Sequence, residues 1–148
     1  MSWNNLETAD PELAAFGAER FASSGIAYLA TIRDDGAPRV YPITPIIGEG
    51  RLFVFMEPTS PKGRDLQRDG RYAMHCAVEN TGGGGGEFFI AGRAQLVEDP
   101  ATRQLATKAS SYAPADRYIL FELNLEQASS TIYDGGKPVR RRWHADRG

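Results

Sequence analysis

Ser60-Pro61-Lys62-Gly63-Arg64-Asp65-Leu66 brings a hydroxyl, an ammonium and a guanidinium together at what reads as the start of a helix. Serine is a favoured N-cap, and proline is favoured at the first helical position. Unpaired N–H groups and the positive end of the helix dipole point out of such a terminus, a setting that suits a phosphate. Lysine and arginine there oppose the dipole, which favours acids, unless an anion sits among them. Arg39 is a further cation, placed after the turn residues Asp34-Asp35-Gly36 at the opening of a strand. Lysine offers a point charge and arginine a planar fork for phosphate oxygens. Taken alone, the same residues also describe a solvated helix end.

Other chemistry is sparse. The two histidines, His75 and His144, lie far apart, which gives a histidine-based metal site little support. One cysteine, Cys76, leaves no internal disulfide and suits a reducing cytoplasm. It falls in an apolar strand, as a small buried residue would. His75 alternates with it and reads as a structural or interface polar group rather than a base. The glycines from Gly82 to Gly86 precede no Lys-Ser/Thr pair and no helix, so they read as a floppy hairpin tip. Arg140-Arg141-Arg142-Trp143-His144 reads as a solvated tail.

The 148 residues suit one domain, and a formal net charge of −2 gives no global field for nucleic acid. The N-terminus shows no basic segment followed by an apolar run, and no stretch approaches a membrane span. A cytoplasmic protein without membrane or nucleic-acid partners is expected.

The positioning elements follow from pattern. Asp10-Pro11 opens a helix that ends before Ser23-Ser24-Gly25. Strands are expected over Ile26–Ile32, Pro38–Ile47, Arg51–Met56, Arg71–Val78, Glu87–Val97 and Arg117–Leu123, with Ser129–Tyr133 a candidate seventh. Helices are expected over Ser60–Asp69 and from Pro100 to about Ala113. Pro42 and Pro45 cannot donate ladder bonds, so part of the second strand lies at an edge. The aromatic residues Tyr28, Phe53, Phe55, Phe88, Phe89, Tyr118 and Phe121 sit in strands and read mostly as core. The fold class is mainly β: an antiparallel barrel of six to seven strands with helical decorations, organised as an N-terminal helical segment 1–25, a barrel 26–134 and a tail 135–148.

The order Tyr28-Leu29-Ala30-Thr31-Ile32, Asp35-Gly36-Ala37-Pro38-Arg39-Val40, Leu52-Phe53-Val54-Phe55-Met56, then Ser60-Pro61-Lys62-Gly63-Arg64-Asp65-Leu66 resembles the pyridoxamine 5′-phosphate oxidase-like split barrel. The resemblance covers Ala27 to Val97. It implies that Arg39, Ser60 and Lys62, with Arg64 as a weaker candidate, bind the phosphate of flavin mononucleotide (FMN). It also implies that Val40, Tyr41, Pro42 and Ile43 run beside the isoalloxazine ring, and that Phe55 and Met56 line the pocket. Two features depart from the oxidase proper. Arg142-Trp143-His144 replaces its substrate-gripping arginine and histidine, and Glu87 stands near the place of a helper glutamine. They point to the broader flavin/deazaflavin oxidoreductase group, with FMN or the 8-hydroxy-5-deazaflavin coenzyme as cofactor and a small-molecule substrate. The resemblance further implies a homodimer with the ring between subunits. A flavin- or haem-storing module without turnover and a purely structural barrel remain as alternatives.

Overall fold

Asp10, Pro11 and Gly25 delimit a helix as their chemistry dictates. The Asp10 carboxylate accepts the Leu13 N–H at 3.2 Å, Pro11 occupies the first turn, and Gly25 ends the helix in the left-handed conformation at φ +72°. In the computed structural model, which describes residues 1–145, this helix is α2 (Pro11–Ser24). It is preceded by α1 (Trp3–Ala9), which the sequence pattern does not announce. Seven residues carrying only Trp3 and Leu6 as large buried groups give too short a period to read.

Eight antiparallel strands follow: β1 (Ala27–Ile32), β2 (Pro38–Ile43), β3 (Ile46–Gly48), β4 (Arg51–Met56), β5 (Arg71–Cys76), β6 (Glu87–Val97), β7 (Ile119–Asp134) and β8 (Lys137–His144). Helix α3 (Pro61–Arg68) separates β4 from β5, and α4 (Pro100–Ala109) separates β6 from β7. The strand order is β2-β1-β5-β6-β7-β4-β3, with β8 added to β7. The two ends of that path are consecutive in the chain. Ile43 and Ile46 are three residue steps apart, so the ends lie within about 11 Å of each other. The sheet therefore curls into a barrel with an unpaired seam at Thr44-Pro45, where Pro45 has no N–H to donate. This break divides the expected strand Pro38–Ile47 in two.

Other boundaries move for equally local reasons. The expected sixth and seventh strands are one 16-residue strand, β7. Its register against β6 shifts between Ala91 and Gly92. A Cβ on Gly92 would collide with the Asn124 carbonyl oxygen, so glycine lets the backbones meet there. The expected tail is mostly strand: Gly135 and Gly136, at φ +60° and +82°, form a two-residue hairpin turn, and Trp143 on β8 enters the core. α4 stops at Ala109 rather than near Ala113.

Alternation decides the two faces. Leu29, Met74 and Phe88 point inward with Trp3, Leu13 and Phe21 of the N-terminal helices in the main core. Gly17 presses against the Phe88 ring, where a Cβ would clash. β4 is buried on both faces: Leu52, Val54 and Met56 join the main core, whereas Phe53 and Phe55 join a second one beneath α4 with Ile46, Ala106 and Leu120. On the outer face of β1 and β2, Tyr28 and Val40 remain 46% and 63% exposed.

Candidate functional site

The helix start expected at Ser60 is present. Ser60 Oγ accepts the Gly63 N–H at 3.1 Å and donates to the Glu57 carbonyl at 2.7 Å. A Cβ on Gly63 would crowd that same carbonyl and hydroxyl, so glycine lets the first turn close on the end of β4. The serine hydroxyl is thus engaged in the cap, and donating to an anion would require it to rotate away from Glu57.

Beside this turn lies a cleft of about 280 Å³, walled by Pro42, Ile43 and Thr44 at the end of β2, and by Phe55, Met56 and Glu57 at the end of β4. Lys62, Tyr112 and Tyr118 complete it. Both strand ends meet there because the chain crosses the barrel seam at Thr44-Pro45. Lys62 Nζ sits 5.1 Å above the Tyr41 ring, and among the described residues it has no salt-bridge partner. Arg39 points to the same side of β2 as Tyr41, and its Nε donates to Asp65 Oδ2 at 2.8 Å.

Asp65 is buried, and its Oδ2 also accepts the Thr31 hydroxyl at 2.8 Å. Burial alone would push its carboxyl up. The bonds from Thr31 and Arg39, with the charges of Arg39 and Arg68, outweigh burial and hold it below the ordinary carboxylate value.

Five expected residues therefore line the cleft: Pro42, Ile43, Phe55, Met56 and Lys62. Arg39, Tyr41 and Ser60 flank it. Val40 faces the opposite side of β2, and Arg64 is exposed outside the lining. The sequence pattern misses Thr44, Glu57, Tyr112 and Tyr118. Tyr118 reads as a core aromatic, and Tyr112 falls where the helix was expected to continue. The connection bearing both is tied down by Arg103, which donates to the carbonyls of Tyr118 at 2.7 Å and Ala115 at 3.2 Å. Arg117 pairs with Glu57 at the cleft rim, and this keeps the Glu57 carboxyl below its ordinary value.

A larger cleft, of about 650 Å³, lies by the β5–β6 loop, and none of Arg39, Ser60, Lys62 and Arg64 lines it. There Tyr133 donates to Glu87 Oε2 at 2.7 Å, and His75 Nε2 lies 3.6 Å from Glu87 Oε1. Hydrogen bonding to Cys76 outweighs burial and, with the Glu87 charge, raises the His75 pKa to about 9. Glu87 is thus already matched. The glycine run does not behave as a free tip. Asn80 Oδ1 accepts the N–H groups of Gly82 at 2.9 Å and Gly84 at 3.1 Å, and Gly85 covers the buried Arg20 guanidinium closely enough that a Cβ would clash. The larger cleft is lined by that loop with His75, Glu87 and Tyr133, whereas the smaller one joins Lys62, without a salt-bridge partner among the described residues, to apolar walls. The smaller cleft is the candidate site.

The sequence signature of the family described as pyridoxamine 5′-phosphate oxidase matches residues 12–131, most of the chain. The chain belongs to this family. The matched span runs from the start of α2 to the outer half of β7 and includes every residue of the cleft. None of the curated proteins matches the chain in sequence. Among solved structures, a haem-binding protein from Mycobacterium smegmatis aligns with a TM-score of 0.67 at 17% identity, over 89% of this chain and 58% of that one. This chain therefore spans less than two thirds of that protein. A Clostridium acetobutylicum protein related to general stress protein 26, of the pyridoxinephosphate oxidase family, aligns at 0.67 and 14% identity over 93% of this chain and 98% of its own. The haem storage protein HutZ from Vibrio cholerae aligns at 0.57 and 17% identity over 79% and 89%. At these identities the likeness is one of fold.

Proposed function

We propose that this family member is a flavin-dependent oxidoreductase whose cleft takes FMN phosphate-first, with Lys62 and Arg39 neutralising the phosphate. The observation that carries this reading is the pairing of Lys62, which has no salt-bridge partner among the described residues, with walls made of Pro42, Ile43, Phe55 and Met56. A ligand with one anionic end and one flat apolar end matches both halves. When bound, FMN supplies hydride or electron transfer. The chain's own residues orient the ring against the end of β2, exclude water with Phe55, Tyr112 and Tyr118, and hold the phosphate. The cleft measures about 280 Å³, near the lower end of the roughly 300–1,000 Å³ of typical ligand pockets, and in this reading a second copy of the chain packs on the exposed Tyr28–Val40 face beside it. The cytoplasm, whose reducing conditions suit a lone thiol, is the setting we assign.

The 8-hydroxy-5-deazaflavin coenzyme shares the ring-plus-phosphate character, and its absorbance differs. The visible spectrum of the purified protein, with mass spectrometry of what is released on denaturation, tests the reading. A flavin or deazaflavin spectrum is expected; a colourless protein that takes up neither cofactor would reject it.

A second reading, non-catalytic haem binding, is favoured by one observation. His75 Nδ1 lies 2.6 Å from the Cys76 carbonyl, which assigns the proton to Nδ1 and leaves Nε2 facing the larger cleft. With its pKa raised to about 9, His75 must lose a proton before Nε2 can bind iron. A Soret band on haemin titration that His75→Ala abolishes would support this reading over the first.

A further inference from the structure

We propose that Asp65 is a positioning residue that grips Arg39 by Nε alone, leaving the terminal side of the guanidinium, beside Tyr41, for the oxygens of a phosphate monoester. Three arginines of this chain, Arg51, Arg71 and Arg117, meet a carboxylate two-handed: Arg51 engages Glu122 through Nε at 3.1 Å and a terminal nitrogen at 2.6 Å. Arg71 does the same with Asp69. Arg39 cannot. Its Nε shares Asp65 Oδ2 with the Thr31 hydroxyl, each at 2.8 Å, while Oδ1 is turned to Arg68 at 3.5 Å.

Asp65 is only 3% exposed and sits on α3, which also carries Lys62. A buried carboxylate with two donors on one oxygen is fixed in orientation, and it fixes the arginine in turn. Among the described residues Asp65 is the one carboxylate that pairs with Arg39, whose side chain is 24% exposed, and the Tyr41 side chain is a further hydrogen-bonding neighbour. Lys62 covers the ring of that same tyrosine. The free face of Arg39 and Lys62 thus bracket Tyr41 beside the cleft, and a fork held by its stem loses little entropy on meeting a phosphate.

The identity of the ligand rests on the flavin reading; the geometry does not. Fluorescence titration with FMN and with riboflavin, which lacks the phosphate, separates positioning from general support. In Asp65→Asn the preference for FMN over riboflavin should fall about tenfold while riboflavin binding stays within twofold. Arg39→Lys, which keeps a positive charge beside Asp65, should lose a similar share, because an ammonium held by Asp65 presents a point charge in place of the planar fork for phosphate oxygens. Equal weakening of both ligands in Asp65→Asn, or an Arg39→Lys preference near that of the wild type, would overturn the proposal. A second readout does not use flavin: the Arg39 side-chain Nε–H NMR resonance during titration with inorganic phosphate. It should be protected from exchange and shift in the wild type, and do neither in Asp65→Asn. If FMN does not bind even the wild type, the function reading fails while this resonance still decides the positioning role; no phosphate response in the wild type refutes it.

Discussion

His75 stands on the outer face of β5, and its proton is held more tightly in the folded chain than outside it. Its ordinary value of 6.5 rises to about 9 through hydrogen bonding to Cys76 and the nearby Glu87 charge. A raised folded pKa gives stability that is complete below pH 6.5 and lost as pH climbs through 9. The side chain is 40% exposed, so solvent screening holds the effect to about 1 kcal/mol. Urea midpoints measured at pH 6 and pH 9.5 should fall further with pH for the wild type than for His75→Gln, which cannot titrate. Parallel falls would show that the ring is not the linked group. At the same scale, Ser60→Ala removes the acceptor of the Gly63 N–H and should destabilise by about 1 kcal/mol in equilibrium unfolding.

Among the elements, the β5–β6 loop separates conformational from steric demands. Gly85 has φ +80° and lies over Arg20, so Gly85→Ala adds backbone strain to a clash and should cost more than about 1 kcal/mol. Gly82 carries no positive φ and meets only the movable Asn80 side chain, so Gly82→Ala should shift the urea midpoint little. Equal midpoints for the two variants would mean that the loop does not pack on α2. The demand at Gly85 is invisible in the sequence, because Arg20 lies 65 positions earlier and only the fold brings the two together. Where signals are local, the sequence speaks clearly: Asp10-Pro11, Ser60-Pro61 and the alternation of β1 and β5 all appear as their residues require. The run Arg140-Arg141-Arg142 reads as a solvated tail, yet it lies within β8. β8 is held as a strand by pairing with β7 and by burial of Trp143, a tertiary choice. The phosphate-binding half of the candidate site was legible because capping residues and cations cluster within a few positions. The Tyr112 and Tyr118 wall was not, because it comes from a connection placed by Arg103.

For the molecule as a whole, the seam between β2 and β3 leaves a cleft open on one side and an apolar outer face around Tyr28 and Val40. The symmetric dimer we propose would cover both and give two equal sites. An obligate interface commonly buries roughly 2,000 Å² or more, enough for Val40→Glu to disrupt it. Since Val40 is already 63% exposed in the single chain, that substitution should leave monomer folding intact while shifting sedimentation equilibrium at low micromolar concentration towards the monomer. A wild type that sediments as a monomer and binds cofactor at full affinity would place the whole pocket within one barrel.

The central claim is that the Lys62 cleft holds a flavin phosphate, and FMN titration of the wild type against Lys62→Ala tests it most directly. Among the described residues Lys62 makes no salt bridge, so its loss should spare the fold and remove one charge-assisted contact, weakening FMN by about tenfold or more. Equal FMN affinity in the two proteins, both folded, would contradict the account.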